Sequence, residues 1–317
     1  MKICVLDGYT LNPGDLSWAA VCSLGECSVY DRTATADEVV DRAADAEIVL
    51  TNKVMITDDV MERLPALRYV GVLATGYNVV DIEAARRRGI IVTNIPAYST
   101  ASVAQMVFAH LLNITNSVAR YSAEIGQWAR SRDFCYYDSG LTELAGKTMG
   151  IVGLGNTGMA TARIALAFGM KVIALTSKTA DVLPEGIVPV DRDTLMAEAD
   201  VISLHCPLTE STREIINARS IAMMRPGVIV INTGRGPLVA EADVAEALRS
   251  RRIAAYAADV LSVEPPSSDN PLLNVERAYI TPHIAWATIE ARRRLMTIAA
   301  KNISAFINNK PINVVNK

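Results

Sequence analysis

Short apolar runs alternate with amphipathic stretches along almost the whole chain. Ten of the runs read as strands: "KICVLDG", "AEIVLTN", "LRYVGVLATG", "IIVTNI", "TMGIVGLG", "KVIAL", "DVISLHC", "GVIVINTG", "AAYAADV" and "AYITPH". These runs are nearly continuous in apolar residues, as expected of strands covered on both faces, and the stretches between them have helical spacing. The pattern predicts an α/β protein with two doubly wound parallel-sheet domains. Pro96 and Ser99-Thr100 set up the start of a long helix, whose apolar stripe runs through Val103, Met106, Val107, Leu111 and Ile114. That helix leads from the first unit into the second. Its uncharged surface suits either a subunit interface or a buried interdomain position.

Length supports the two-domain division, since 317 residues exceed the ~100–200 typical of one domain. Half of the residues are hydrophobic and the formal net charge is −3. That balance gives no electrostatic footprint for nucleic acid and no basic run for a membrane surface. The apolar run at the start is closed by Asp7 and is too short for a signal peptide. Residues 96–119 carry no Lys, Arg, Asp or Glu, yet Ser99, Thr100, Gln105, Asn113 and Asn116 make them too polar to span a membrane. The five cysteines form no Cys-x-x-Cys pair, which fits reduced cytoplasmic thiols better than a disulfide framework or a metal site.

Candidate chemistry begins at "TMGIVGLGNTGMATARIALAFGMKVIAL", a strand, Gly153-x-Gly155-x-x-Gly158, a helix and a second strand. In a dinucleotide site the first glycine permits the tight turn, the second admits the pyrophosphate, and the third lets helix pack on strand. Asn156 and Thr157 open the helix, whose N-terminal N–H groups face the phosphates. An acid that would grip the adenosine ribose is expected about 20 residues beyond the glycines. Thr176, Ser177 and Lys178 stand there instead. Hydroxyls and an ammonium can receive a 2′-phosphate, and the missing carboxylate no longer repels one, so the site leans towards NADP(H). The competing reading keeps Lys178 as a solvated loop residue, with NAD held through its pyrophosphate.

Three histidines are present. His110 falls on the long helix and reads as a packed, hydrogen-bonded core or interface residue. His205, in "SLHCPLT", ends a strand before Cys206 and Pro207 and could line the nucleotide pocket. His283, in "TPHIAW", ends a strand where ligands collect in α/β sheets, and imidazole is the simplest acid/base near neutral pH. "NTGRGPL" places Arg235 after an apolar strand, where its planar fork can hold a carboxylate bidentately. "DVLSVEPP" carries Glu264, and a Glu beside a His stabilises the imidazolium that a proton donor requires.

The ordered set of Gly153 to Gly158, "LHCPLT", "NTGRG", Asp259 to Glu264-Pro265 and "TPHIA" resembles the D-isomer-specific 2-hydroxyacid dehydrogenases over essentially the whole chain. Within that family, "LTNKV", "VLATGYNVVDIEAARRRGI", "NIPAYSTASVAQ" and "RDFCYYD" are similar to the glycerate dehydrogenase, or hydroxypyruvate reductase, branch. The resemblance implies an NAD(P)(H)-dependent oxidoreductase that interconverts hydroxypyruvate and D-glycerate. It implies that Arg235 binds the substrate carboxylate and carbonyl oxygen and that His283 donates the proton in reduction. Glu264 would keep His283 protonated and oriented, and the backbone of Ala74, Thr75 and Gly76 would cradle the carboxylate. Cofactor contacts would come from Gly153, Gly155, Asn156, Thr157, Gly158, Thr176, Ser177, Lys178 and His283. His205 and Pro207 would border the adenosine end, Cys206, Thr233 and Gly234 would also contact the cofactor, and Asp259 would contact the nicotinamide carboxamide.

The same resemblance divides the chain unusually. Residues 1–98 with 288–317 would form a flavodoxin-like substrate domain, joined by a final helix of about Ile289 to Asn308. Residues 99–287 would form the Rossmann nucleotide domain. A cytoplasmic homodimer is expected. Two other functions stay open: a glyoxylate or broader 2-oxo acid reductase, and a nucleotide-sensing corepressor-like protein. The second usually carries additional interaction segments, whereas this chain ends at Lys317 shortly after its last helix.

Overall fold

A computed structural model describes residues 1–138 and 140–317. They form two units, Met1–Ser99 with Ala287–Lys317, and Thr100–Trp286. The first unit holds β1 (Lys2–Val5), β2 (Glu26–Val29), β3 (Ile48–Thr51), β4 (Tyr69–Val72) and β5 (Ile91–Thr93). All pair in parallel, in the order β2-β1-β3-β4-β5. This is the flavodoxin-like arrangement, with its switch point between β1 and β3. One face of the sheet packs Val49, Val70, Val72 and Val92 against Val39, Val60, Met61, Ala84 and Ala85 of three short helices. Helix Ile289–Ile307 packs on β4, where the rings of Tyr69 and Phe306 lie 4.8 Å apart. Its start is capped by Thr288, whose side chain accepts from the Ala291 N–H.

The edge strand β5 is covered by the chain's last residues. Val315 N–H donates to Val92 O, and the Asn316 side chain accepts from Val92 N–H while donating to Ile90 O. Asn316 thus stands in for a neighbouring strand and leaves no open β5 edge at this point.

The second unit holds β6 (Thr148–Val152), β7 (Lys171–Leu175), β8 (Ile187–Pro189), β9 (Val201–Leu204), β10 (Val228–Asn232), β11 (Ile253–Ala258) and β12 (Ala278–Ile280). These pair in parallel in the order β12-β11-β10-β9-β6-β7-β8. The order in which strands are added reverses between β6 and β9, as in a Rossmann sheet. Side chains alternate between two cores, as the period of a strand requires. Val228 and Val230 of β10 enter one core, with Leu195, Ile221 and Val244 from covering helices. Ile229 and Ile231 enter the other, with Val107, Phe108 and Leu111 from the long helix.

Among the described residues there are twelve strands where ten apolar runs were legible. The two additions, β2 and β8, are both sheet edges. Their sequences, ECSV and IVP, are short, and only Ile187 among their seven residues is buried, so burial imposes little apolar pattern on them. The long helix runs Thr100–Asn116 and packs on helix Asn156–Ala167. Its buried face is rotated from the expected stripe: Ala104, Phe108 and His110 are buried, while Val103, Met106 and Ile114 are only half-buried. The small Ala104 and polar His110 masked that face in an apolarity count. Among the described residues, no helix is long and apolar enough to cross a membrane.

Candidate active site

Because every strand of the second unit is parallel, every strand-to-helix loop leaves the same edge of the sheet. The candidate residues of that unit all lie there. Gly153 to Gly158 follow β6, Thr176 to Lys178 follow β7, and His205 to Pro207 follow β9. Thr233 to Arg235 follow β10, Asp259 to Glu264 follow β11, and Thr281 to His283 follow β12.

The three glycines of the first loop have distinct surroundings. Gly153 has φ +92°, and a Cβ there would meet the Cys206 backbone nitrogen at 2.6 Å. The turn after β6 therefore touches the chain leaving β9 at the switch point. A Cβ on Gly158 would meet the Gly153 carbonyl oxygen at 2.1 Å, so helix and strand touch backbone to backbone. Gly155 faces open space, with nothing within 4 Å of its Cβ position. It also precedes the helix Asn156–Ala167 without a side-chain cap, leaving first-turn N–H groups for a ligand.

Two polar groups complete this region. Thr233, 9% exposed, has a buried hydroxyl without a hydrogen-bond partner. An unsatisfied hydroxyl is costly in a protein interior and marks a place for a ligand's polar atom. His205 Nε2 lies 2.8 Å from Ser203 Oγ, and loss of hydration pushes its pKa down to about 4. The ring is therefore neutral near pH 7 and serves as wall and hydrogen-bonding group, not as an acid. Cys206 beside it has its thiol pKa raised by burial, which disfavours a reactive thiolate.

The acid/base candidates meet directly. His283 Nδ1 lies 2.6 Å from Glu264 Oε2, and Glu264 Oε1 accepts from the Leu261 N–H at 3.0 Å. The carboxylate is held at both oxygens, the ring is oriented through Nδ1, and Nε2 is left to face a reactant. The loop carrying Glu264 is itself anchored, since Glu241 accepts from Ser262 N–H and from Asn270 Nδ2, each at 2.7 Å.

Arg235 enters through its backbone. A Cβ on Gly236 would lie 2.0 Å from the Leu261 carbonyl carbon, so the Arg235 loop rests on the Glu264 loop. Asn232 ties its own loop by accepting from Gly234 N–H and donating to Arg235 O. The exposed guanidinium of Arg235 bonds its neighbour's carbonyl, Gly234 O, at 2.8 Å.

Asp259 holds the next loop. It is 1% exposed. Its Oδ1 accepts from Thr281 Oγ1 at 2.7 Å and Ile284 N–H at 2.9 Å, and its Oδ2 from Ala285 N–H at 2.7 Å. Ala74, Thr75 and Gly76 belong to the first unit, at the carboxyl end of β4. There Ile95 N–H donates to Ala74 O, and the Thr75 side chain donates to Ile95 O. Gly236, Glu241, Asn270 and Thr281 were not singled out from sequence. Their partners lie 21 to 29 residues away for Glu241 and 22 for Thr281, and local spacing carries no signal at that range.

Comparison with known proteins decides the family. The model of the D-isomer specific 2-hydroxyacid dehydrogenase NAD binding domain matches residues 108–285. The chain is 50% identical to a hydroxypyruvate reductase of Blautia hydrogenotrophica, over 100% of both chains. The chain belongs to the D-isomer-specific 2-hydroxyacid dehydrogenase family. Solved structures agree with this. An acyclic imino acid reductase in complex with NADPH and D-Arg aligns with TM-score 0.85 and 30% identity, covering 99% of this chain and 100% of that one. A D-lactate dehydrogenase with NAD+ from Lactobacillus jensenii aligns with TM-score 0.83 and 28% identity, covering 100% of both.

This dehydrogenase is accordingly an oxidoreductase acting on the CH–OH group of 2-hydroxy acids with a nicotinamide cofactor. Its relatives are enzymes, so the nucleotide-sensor alternative is set aside. The open space at Gly155, the uncapped helix start and the orphaned Thr233 hydroxyl all fit a dinucleotide. Gly155→Ala is expected to keep the wild-type Tm within about 2 °C but to weaken dinucleotide binding at least roughly tenfold, because the methyl enters the ligand's space. Gly158→Ala is expected to lower Tm by several degrees through backbone collision. Thermal melts with cofactor titrations check both, and matching behaviour of the two variants would contradict this division.

Proposed function

We propose that this dehydrogenase reduces hydroxypyruvate to D-glycerate, reversibly, with a preference for NADPH over NADH. The Glu264–His283 pair carries the reading, and the 50% identity to a hydroxypyruvate reductase supports the substrate. Bound reduced nicotinamide supplies a hydride to C2 of the 2-oxo acid. The Arg235 guanidinium takes the substrate carboxylate, and its second edge meets the carbonyl oxygen as negative charge gathers there. Backbone N–H groups of Ala74, Thr75 and Gly76 share the carboxylate. Nε2–H of His283 gives its proton to that oxygen, completing the hydroxyl, while Glu264 balances the imidazolium charge through Nδ1. In the reverse direction the neutral ring takes the proton back.

The cofactor preference rests on Thr176 to Lys178. Thr176 is half-buried at the end of β7, Ser177 and Lys178 are exposed, and the Thr176 hydroxyl already accepts from Lys178 N–H. The loop is thereby turned with two hydroxyls and an ammonium where an acid would otherwise repel a 2′-phosphate.

A cytoplasmic homodimer belongs to the same proposal. Val118, Ile125, Trp128, Phe134, Tyr137 and Leu141 are exposed within one segment, Phe134 at 92%. Large apolar side chains exposed along one segment suit burial against a second copy. Light scattering should give twice the 34.2 kDa chain mass, and Phe134→Asp should shift the protein towards a monomer; a monomeric wild type removes the dimer.

Purified enzyme with hydroxypyruvate and NADPH should turn over, and His283→Ala should lower kcat by roughly a thousandfold while dinucleotide binding survives. Wild-type turnover in that variant would remove the proton-donor role. Lys178→Ala should raise the KM for NADPH roughly tenfold and leave that for NADH nearly unchanged. Equal effects on both nucleotides would end the phosphate-contact reading.

A further inference from the structure

His110 has no part in the mechanism above, yet its ring is buried at 6% exposure on helix Thr100–Asn116. Around it that helix buries Val107, Phe108 and Leu111. An apolar side chain would fill such a position without the cost of desolvating an imidazole. The hydrogen bond it makes is therefore informative. His110 Nε2 lies 3.2 Å from Thr281 Oγ1, and Thr281 Oγ1 lies 2.7 Å from Asp259 Oδ1.

The proton positions follow from valence. An ionised carboxylate only accepts, so the Thr281 hydroxyl donates to Asp259. With its single proton engaged, that hydroxyl accepts from His110, which places hydrogen on Nε2 of a neutral ring. Burial lowers the pKa of His110, against an opposing pull from Asp259, in keeping with that neutral form. The Thr281 hydroxyl has another acceptor in range, the Ala258 carbonyl oxygen at 3.5 Å. The carboxylate at 2.7 Å is the stronger acceptor, and the His110 N–H, donating to the same hydroxyl oxygen, restrains the hydroxyl in that bond.

We propose that His110 is a positioning residue for His283, acting through the Thr281 hydroxyl and the Asp259 carboxylate. Nε2–H of His110 restrains the hydroxyl in its bond to Asp259. Asp259 then grips Thr281 before the histidine and the N–H groups of Ile284 and Ala285 after it. His283 is suspended between these two attachments at φ +53°, a left-handed conformation that a non-glycine residue does not hold unaided. The proposal rests on the reading of His283 as proton donor, and it adds a long-helix residue to the machinery that aims it.

The test compares His110→Leu, His110→Gln, Thr281→Val and the His110→Leu/Thr281→Val double variant. In His110→Leu the single-turnover rate of cofactor oxidation should fall roughly five- to tenfold, the worth of one neutral hydrogen bond. The KM for the 2-oxo acid and the Kd for the dinucleotide should stay within about twofold, since neither group binds through His110. His110→Gln keeps an N–H within reach and should recover most of the rate. Added to Thr281→Val, His110→Leu should cost nothing further.

Hydrogen exchange of the Ile284 and Ala285 amides, measured without substrate, reads the attachment itself and should be faster in His110→Leu. Unchanged exchange, losses that add in the double variant, or a Gln variant no better than Leu would each overturn the positioning role. Faster exchange at wild-type rate would instead overturn the proton-donor reading beneath it, a result that His283→Ala reports separately.

Discussion

Asp259 directly follows β11 with its carboxylate buried, and three donors converge on its two oxygens from residues 281, 284 and 285. A charge in a protein interior is tolerable only if hydrogen bonds replace its hydration. The path of the chain after β12 is therefore dictated by where those donors must arrive. Each hydrogen bond to a charged group contributes about 1.5–3 kcal/mol, against a cost on the order of 1–3 kcal/mol for one residue held in a sparsely populated backbone region. Three such bonds outweigh one strained residue, and His283 is that residue. Its φ of +53° directs the ring to Glu264, which is fixed in turn by Leu261 N–H.

The same edge is assembled by contacts that only glycine permits. Gly153 lies against the His205–Cys206 backbone, and Gly236 against the Leu261–Ser262 peptide. Each contact joins two loops that leave different strands, so the spacing of loops along the edge is set by main chain and not by flexible side chains. Glu241 and Asn270 then hold the far end of the Glu264 loop. The result is a set of candidate side chains whose supports are either carboxylates or backbone in direct contact. Positioning of this kind is what a proton transfer coupled to hydride transfer demands, since small displacements of a reacting group carry large rate penalties.

Much of this architecture was legible in the sequence because parallel strands buried on both faces leave unbroken apolar runs. The central strands β6, β9, β10 and β11 are of that kind, and Gly153, His205, Arg235 and Asp259 stand in the loops after them, while His283 follows the edge strand β12. Gly153, Gly155 and Gly158 were legible because a phosphate turn requires glycine at fixed spacing. Edge strands β2 and β8 were not, since exposure leaves their residues nearly unconstrained. His110, Glu241 and Gly236 were equally hidden as partners. Their contacts join residues brought together only by the folded sheet, His110 to Thr281 across 171 positions, and nothing local in either segment announces the other.

The contrast between Asp259 and Thr176 explains how one departure from the usual dinucleotide pattern can coexist with an intact catalytic set. Asp259 is buried and multiply bonded, so replacing it would leave three donors unanswered and loosen the loop that carries His283. Thr176 ends β7 at partial exposure, and its neighbours Ser177 and Lys178 face solvent. The Thr176 hydroxyl accepts from Lys178 N–H and makes the turn there. Residues there can change charge without disturbing Gly153, Gly236 or Glu264. The Thr176–Lys178 turn thus lies in an exposed loop, and the Glu264–His283 geometry rests on buried contacts. A change of charge at Thr176 leaves that geometry untouched.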